Sequence, residues 1–338
     1  MRVGLVGFAR SGKTTVFNTL TGMSAAVGSF EQKRDASIAV IKVPDARVDA
    51  LADIVEPSQK KYAEVTFLDF PPSDERKAAL DKRSLTQMRE VDALTQVVRA
   101  FDDPIAESDT DPLRDLRGFQ SELILADMEI IEKRLARLKR EKGHEREEKL
   151  LRRCYTALEG EKPLRLEGFL PEEEMALAGF DFLSKKPLLV VYNIQEGGMN
   201  TSLPADILLY NEEQQLETVL ICGKVEMEIA ELEEEERGLF LADLGLQEAA
   251  RDRFVRYAYN ILNLMSFFTA GPMEARAWTI ERGTVALKAA GKIHSDIERG
   301  FIRAEVISYD AYIEHRGEAG CREVGRMRLE GKDYVIGI

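Results

Sequence analysis

The sequence predicts an α/β protein, a doubly wound parallel sheet that carries a phosphate-binding loop, is interrupted by a helical hairpin and is followed by a small α+β domain. Three observations predict this. Short apolar runs alternate with helical segments from Val3 to Phe101 and again from Pro187; heptad spacing replaces that alternation in between; and from Phe267 short strands alternate with glycine turns. With 338 residues and 44% hydrophobic content, the chain has material for more than one core.

Val3-Gly4-Leu5-Val6 is an apolar run of strand length. It feeds Gly7-Phe8-Ala9-Arg10-Ser11-Gly12-Lys13-Thr14, which reads G-x-x-x-x-G-K-T, and Thr15 to Leu20 leaves the loop as a helix. Backbone N–H groups from Ala9, Arg10, Ser11, Gly12, Lys13, Thr14 and Thr15 thus converge with a helix N-terminus on one anion. In that frame Lys13 reaches the β- and γ-phosphates of a nucleotide, and the Thr14 hydroxyl ligates Mg²⁺. Ser37 to Val43 reads as a strand, Asp45 caps a helix through Val55, and Tyr62 to Phe70 alternates and contains Asp69, a candidate outer Mg²⁺ carboxylate. Leu94 to Phe101 and Pro187 to Asn193 are further buried strands.

Between Leu113 and Leu183 the spacing changes. Ile124, Met128, Ile131, Leu135 and Leu138 follow 4-3-4-3 spacing, and Leu151, Cys154 and Leu158 form a return seam after the Lys142-Gly143-His144 turn, so an antiparallel coiled-coil hairpin is expected. Thr218 to Ile221 resumes the strands, Val225 to Gly245 and Arg251 to Leu264 read as helices, and Ala275 to Ile280 and Ile302 to Ser308 read as strands about a helix from Thr284 to Ala290. The expected domains are 1–112 with 184–266 for the nucleotide, 113–183 for the insert and 267–338 for the C-terminal unit.

A net charge of −13 argues against a generally basic nucleic-acid binder. The charge is uneven, however: from Glu132 to Arg153 there are ten basic residues against five acidic ones, a candidate patch for RNA phosphates or a solvated hairpin laced with ion pairs. Cys154, Cys222 and Cys321 lack the spacing of a disulfide framework or a zinc site, and His144, His294 and His315 are scattered. No apolar run has the roughly 18 residues of a membrane span, so a soluble cytoplasmic protein without membrane association is expected.

The phosphate loop, Val43-Pro44-Asp45-Ala46-Arg47, Arg89-Glu90-Val91-Asp92-Ala93, Glu122-Leu123-Ile124-Leu125-Ala126-Asp127, Phe267-Phe268-Thr269-Ala270-Gly271, Arg276-Ala277-Trp278-Thr279-Ile280 and Gly300 to Val306 together closely resemble the YchF family of Obg-like ATPases. The resemblance implies a Ras-like P-loop domain, an inserted antiparallel coiled coil and a C-terminal TGS domain with a β-grasp. It further implies ATP preferred over GTP, slow hydrolysis with Mg²⁺, and association with ribosomes or RNA through the basic insert and the TGS-like domain. Asn193-Ile194-Gln195-Glu196 stands where GTPases carry Asn-Lys-x-Asp; Glu196 is a methylene longer than the Asp that forks onto guanine. Cys222-Gly223-Lys224 stands where the family contacts the base from the other side.

The chain departs from the family at several points. Asp69-Phe70-Pro71-Pro72 replaces Asp-x-x-Gly, and Pro72 has no N–H for a γ-phosphate. Lys33 or Arg34 falls where the first switch has a Thr, and Glu107 lies near the position of a family histidine. The chain ends at Val335-Ile336-Gly337-Ile338, short of the family's closing turn and strand, which leaves open a β-grasp one strand short and a chain cut early. Arg10 replaces an Asn that holds K⁺ in potassium-activated relatives, making it, with Lys13, a candidate catalytic cation; the alternative is that Arg10 points to solvent or grips a carboxylate on a neighbouring loop. Three readings stay open: a slow ATPase, an adaptor that binds nucleotide without turnover, and a GTP-dependent switch.

Overall fold

The computed structural model describes residues 1–22, 37–70, 80, 82–103, 109–141, 143–198 and 201–337. Lys33, Arg34, Pro71, Pro72, Glu107 and Lys142, on which the sequence reading touched, lie outside the described residues. The chain gathers into two compact units, Met1–Ala39 with Thr66–Phe254 and Val40–Val65 with Val255–Ile338.

In the first unit β1 (Arg2–Val6), α1 (Lys13–Thr21), β2 (Ser37–Lys42), α2 (Ala46–Val55), β3 (Gln59–Lys61), β4 (Glu64–Asp69), α3 (Lys82–Arg89) and β5 (Ala93–Ala100) lead up to the insert, although α2, β3 and parts of β2 and β4 belong to the second unit. The insert consists of α4 (Pro112–Leu138), α5 (Glu145–Glu159) and α6 (Pro171–Leu177); β6 (Leu188–Ile194), α7 (Ala205–Glu213), β7 (Glu217–Ile221), α8 (Gly223–Glu231), α9 (Glu234–Asp243) and α10 (Ala250–Ile261) follow. The sheet order is β2-β4-β1-β5-β6-β7. Its β4, β1, β5, β6 and β7 pair in parallel, with Val3 opposite Phe67 on one side and Ala93 on the other. Strands covered on both faces read as continuous apolar runs, and every residue of β6 is buried. Gly4 lets β1 pass beneath a ring, because a Cβ there would stand 2.5 Å from Phe70.

The insert follows its heptads. Asp111 caps α4 by accepting from the Arg114 N–H at 2.9 Å, with Pro112 in the first turn. Ile124, Ile131 and Leu138 are buried together with Leu150, Leu151, Cys154 and Leu158, while Met128 and Leu135 pack partly buried beside them. Burial pushes the Cys154 thiol up to about 11.

Two helical expectations change. Val225 to Gly245 is two helices, because Leu232 turns extended at φ −77°, ψ 145°. The break lets Glu226, buried in α8, accept from the N–H groups of Ala250 at 2.7 Å and Arg251 at 3.4 Å at the head of α10. The helix expected from Arg251 to Leu264 ends at Ile261, since Asn263 is left-handed at φ 53° and Leu264 already belongs to a strand.

The second unit adds β8 (Leu264–Ala270), β9 (Glu274–Glu281), α11 (Ala286–Ile293), α12 (Ser295–Arg299), β10 (Ala304–Val306), α13 (Tyr309–Glu314), α14 (Glu318–Glu323) and β11 (Arg328–Glu330). Its three-stranded sheet runs β3-β9-β8, with β8 and β9 antiparallel and β3 parallel to β9. Met265, Ile280 and Ala289 make a small core between this sheet and α11. β3 draws the 40–65 segment into this unit, a pairing that the polar Gln59-Lys60-Lys61 does not announce.

Candidate functional site

The strand-to-helix turn at the start of the chain is built from backbone conformations that few residues adopt. Gly7 has φ 149° and Gly12 has φ 80°; a Cβ on Gly7 would lie 2.5 Å from the Val97 carbonyl, and one on Gly12 would lie 2.1 Å from the Asn193 amide nitrogen. Both glycines are therefore required by close approach as well as by φ. Arg10, between them, is left-handed at φ 61° despite its side chain. Ala9 continues the turn, and Ser11 N–H bonds back to the Phe8 carbonyl at 3.3 Å.

At the mouth of this loop three predicted residues meet. Leu5 stands opposite Asp69 in the β1–β4 register, which brings the end of β4 beside the loop. The buried Lys13 ammonium donates to the Asp69 carboxylate and to the Phe70 carbonyl, and the Thr14 hydroxyl donates to Asp69 Oδ2 at 3.2 Å. One cation, one hydroxyl and one carboxylate thus share a patch at the head of α1, where helix N–H groups also point.

The other side of the loop is held by Asn193 at the end of β6. Its Nδ2 donates to the Ser11 carbonyl at 3.1 Å, and its Oδ1 accepts from the Gly223 N–H at 3.2 Å, so one buried amide joins the phosphate loop to the Cys222-Gly223-Lys224 turn. Gly223 also passes close to α1: a Cβ there would lie 3.0 Å from the Thr15 methyl. Cys222 is buried at the head of α8. Glu196 and Lys224 pair across the exposed rim at 3.3 Å, and the hydrogen bond that Lys224 donates to Glu196 raises its ammonium above its ordinary value.

Arg10 turns elsewhere. Its guanidinium lies 3.7 Å from Asp103, in the segment after β5. The sequence reading gave Asp103 and the Phe70 carbonyl no role; a carboxylate a few residues past a strand end is the only signal that pointed to the former.

On the insert, several of the basic residues are paired: Lys133 with Glu129, Arg134 with Glu147 and Glu141, Arg152 with Glu148, and Arg153 with Glu173. Arg137, Lys139 and Arg140 at the end of α4 and Arg146 and Lys149 at the start of α5 are exposed, without an ion pair among the described residues. Both groups flank the turn between α4 and α5. No helix among the described residues is long and apolar enough to cross a membrane.

A family model described as a 50S ribosome-binding GTPase matches residues 2–133, and the YchF GTPase C-terminal model, described as a protein of unknown function, matches residues 264–337. The chain is 37% identical to the ribosome-binding ATPase YchF of Bacillus subtilis (strain 168) and 38% identical to that of Pasteurella multocida (strain Pm70), covering 99% of this chain and 96% of each relative. The solved structure of the Schizosaccharomyces pombe YchF GTPase superposes with a TM-score of 0.89 at 28% identity, covering 100% of this chain and 95% of that one.

Proposed function

The chain belongs to the YchF family, and from that premise we propose that it binds ATP with Mg²⁺, hydrolyses it slowly and couples the bound nucleotide to association with the ribosome. The observation that carries this reading is the convergence of Lys13, Thr14 and Asp69 at the mouth of a loop that Asn193 holds to the Gly223 turn. Entering phosphates draw Lys13 away from Asp69 and the Phe70 carbonyl, exchanging one set of anionic partners for another. The Thr14 hydroxyl and Asp69 carboxylate are hard oxygen donors and fit a magnesium ion, which when bound neutralises charge on the β- and γ-phosphates.

Preference for ATP rests on Glu196. Guanine offers N1–H and N2–H₂ donors that need a free carboxylate fork, whereas Glu196 is already engaged by Lys224. Turnover rests on Lys13 and on Arg10, which must exchange Asp103 for the phosphates to act there. A second reading, an adaptor that binds nucleotide without turning it over, is favoured by the Arg10–Asp103 pair, which holds the guanidinium on a carboxylate. The relatives are named ribosome-binding, and Arg137, Lys139, Arg140, Arg146 and Lys149 about the α4–α5 turn, without an ion pair among the described residues, supply the chemistry for ribosomal RNA phosphates. The C-terminal unit takes the part of the TGS-like domain, with 1–112 and 184–266 as the nucleotide domain and 113–183 as the insert.

Calorimetry with ATP, ADP, GTP and GDP, each with and without Mg²⁺, tests the binding reading. ATP is expected to bind more tightly than GTP, and a GTP preference of about tenfold or more overturns the assignment. Single-turnover hydrolysis in Na⁺ and in K⁺ separates the other two readings. A slow, K⁺-independent rate that falls in Arg10→Ala supports the ATPase, and no turnover supports the adaptor.

A further inference from the structure

Two of the segments that carry the family resemblance, Arg89 to Ala93 and Glu122 to Asp127, have no part in the nucleotide site, yet they meet one another. Asp127 lies in the middle of α4 and is fully buried. Its Oδ1 accepts from the Leu183 N–H at 2.9 Å and from the Arg89 guanidinium at 3.2 Å, and its Oδ2 accepts from the Ser184 N–H at 2.7 Å. Arg89, the last residue of α3, also donates to the Asp181 carbonyl at 2.8 Å, and Lys186 donates to the Arg89 and Val91 carbonyls. One carboxylate therefore ties together the end of α3, the outgoing arm of the insert and the returning chain at residues 181–186. Desolvation raises the Asp127 carboxyl above its ordinary value, against the pull of the two backbone donors and Arg89. Arg89 is the one cation within ion-pair distance of it among the described residues, with Lys186 acting from farther off, so a shift of α3 would strip a buried charge of its near partner.

α3 is in turn packed to the nucleotide side. Phe70, whose carbonyl Lys13 holds, lies in one core with Leu80, Met88 and Val91 and with Leu116, Phe119 and Leu123 of α4. The Glu122 carboxylate accepts from the Leu80 N–H at 3.3 Å. A phosphate that takes Lys13 from Phe70 thus acts on a packed body whose far end is Arg89. Beyond Asp127, α4 runs on for roughly 16 Å at 1.5 Å per residue to the cations about its end, so a small tilt at the joint is magnified there.

We propose that the Arg89–Asp127 joint transmits nucleotide occupancy from the Lys13–Asp69–Phe70 contact to the helical insert, so that nucleotide and the insert's partner bind with linked affinities. This rests on the nucleotide reading given above. Linkage is reciprocal: what stabilises one arrangement of the insert changes nucleotide affinity by the same factor.

Hydrogen exchange of the full chain with no nucleotide, with Mg·ADP and with Mg·ATP tests it, with affinities measured on the same preparations. In the wild type, saturating nucleotide should change exchange at amides of Ile124–Leu138 and Leu150–Leu158 by about fivefold or more, the lower end of allosteric couplings. Arg89→Gln and the milder Arg89→Lys should keep both nucleotide affinity and phosphate-loop protection while losing most of the insert response. Asp127→Asn, should it fold, should behave alike. Nucleotide that binds yet leaves the wild-type insert unchanged overturns the joint alone, as does a full response in Arg89→Gln. Failure of every nucleotide to bind removes the nucleotide reading and the joint with it.

Discussion

The phosphate loop and the helical insert are built by opposite means. The loop depends on single positions: two glycines against which a Cβ would collide, one lysine, and one asparagine that serves two segments. The insert depends on repetition, a seam in which Ile124, Ile131, Leu138, Leu151, Cys154 and Leu158 do the same thing at successive turns. A loop of the first kind tolerates little change at few places. A seam of the second kind spreads its stability over many side chains, each replaceable at a graded cost.

The largest effect that would sharpen this contrast is in the seam. Leu151→Ala removes a fully buried side chain and should destabilise the insert by about 2–5 kcal/mol, while nucleotide affinity changes by no more than about the fivefold coupling proposed above. Thermal unfolding together with calorimetry reads both, and a loss of affinity as large as the loss of stability would show that the two regions are not separable. Next comes the loop's cation: Lys13→Ala should weaken ATP binding by about 1.5–3 kcal/mol. Unchanged affinity would mean that nucleotide binds elsewhere.

Asn193→Ala should follow at about 1–3 kcal/mol in affinity, because it leaves the Gly223 N–H and the Ser11 carbonyl without their partner. Asn193→Asp should be no rescue, since a carboxylate accepts from Gly223 but faces the Ser11 carbonyl with no donor. Smallest is the effect of pH on the insert. The Arg134 hydrogen bond holds the Glu147 carboxyl below its ordinary 4.5, so its contribution is full above 4.5 and is lost as pH falls through the folded value. The insert's melting temperature should drop on acidification below 4.5, by less in Glu147→Gln and less in high salt; identical pH slopes for the two proteins would leave the pair without a role.

The regions differ also in how much of each could be read beforehand. The seam, the phosphate loop, the Asp45 cap and the parallel strands are local patterns, in which a residue's neighbours at fixed spacing say what it does. The pairing of Gln59-Lys60-Lys61 with Glu274-Ala275-Arg276 is not local, and three polar residues carry no strand period. The break at Leu232 escaped for a related reason: one extended residue does not disturb a hydrophobic period on either side of it. In the site, residue types gave Lys13, Thr14, Asp69 and Asn193, because the chemistry of phosphate and base demands them. Arg10 was legible as a cation at the phosphates, but its engagement with Asp103 depends on a backbone turned to φ 61°, which no spacing rule encodes. Arg89 and Asp127 stood out only as parts of resembling segments, and their meeting required the fold.

The two bonds of Asn193 also say something about order in time. They join residues 182 and 30 positions apart in sequence, so the first of them closes a long loop, and contacts of that span assemble late. The phosphate loop is synthesised before its second wall, which is not made until the chain has passed Gly223. A nascent chain therefore carries a complete G-x-x-x-x-G-K-T with no finished pocket to use it until β6, β7 and the Gly223 turn have been made. Nucleotide capture waits on those strands, and the ligand, once bound, selects for chains in which β6 and β7 have docked correctly.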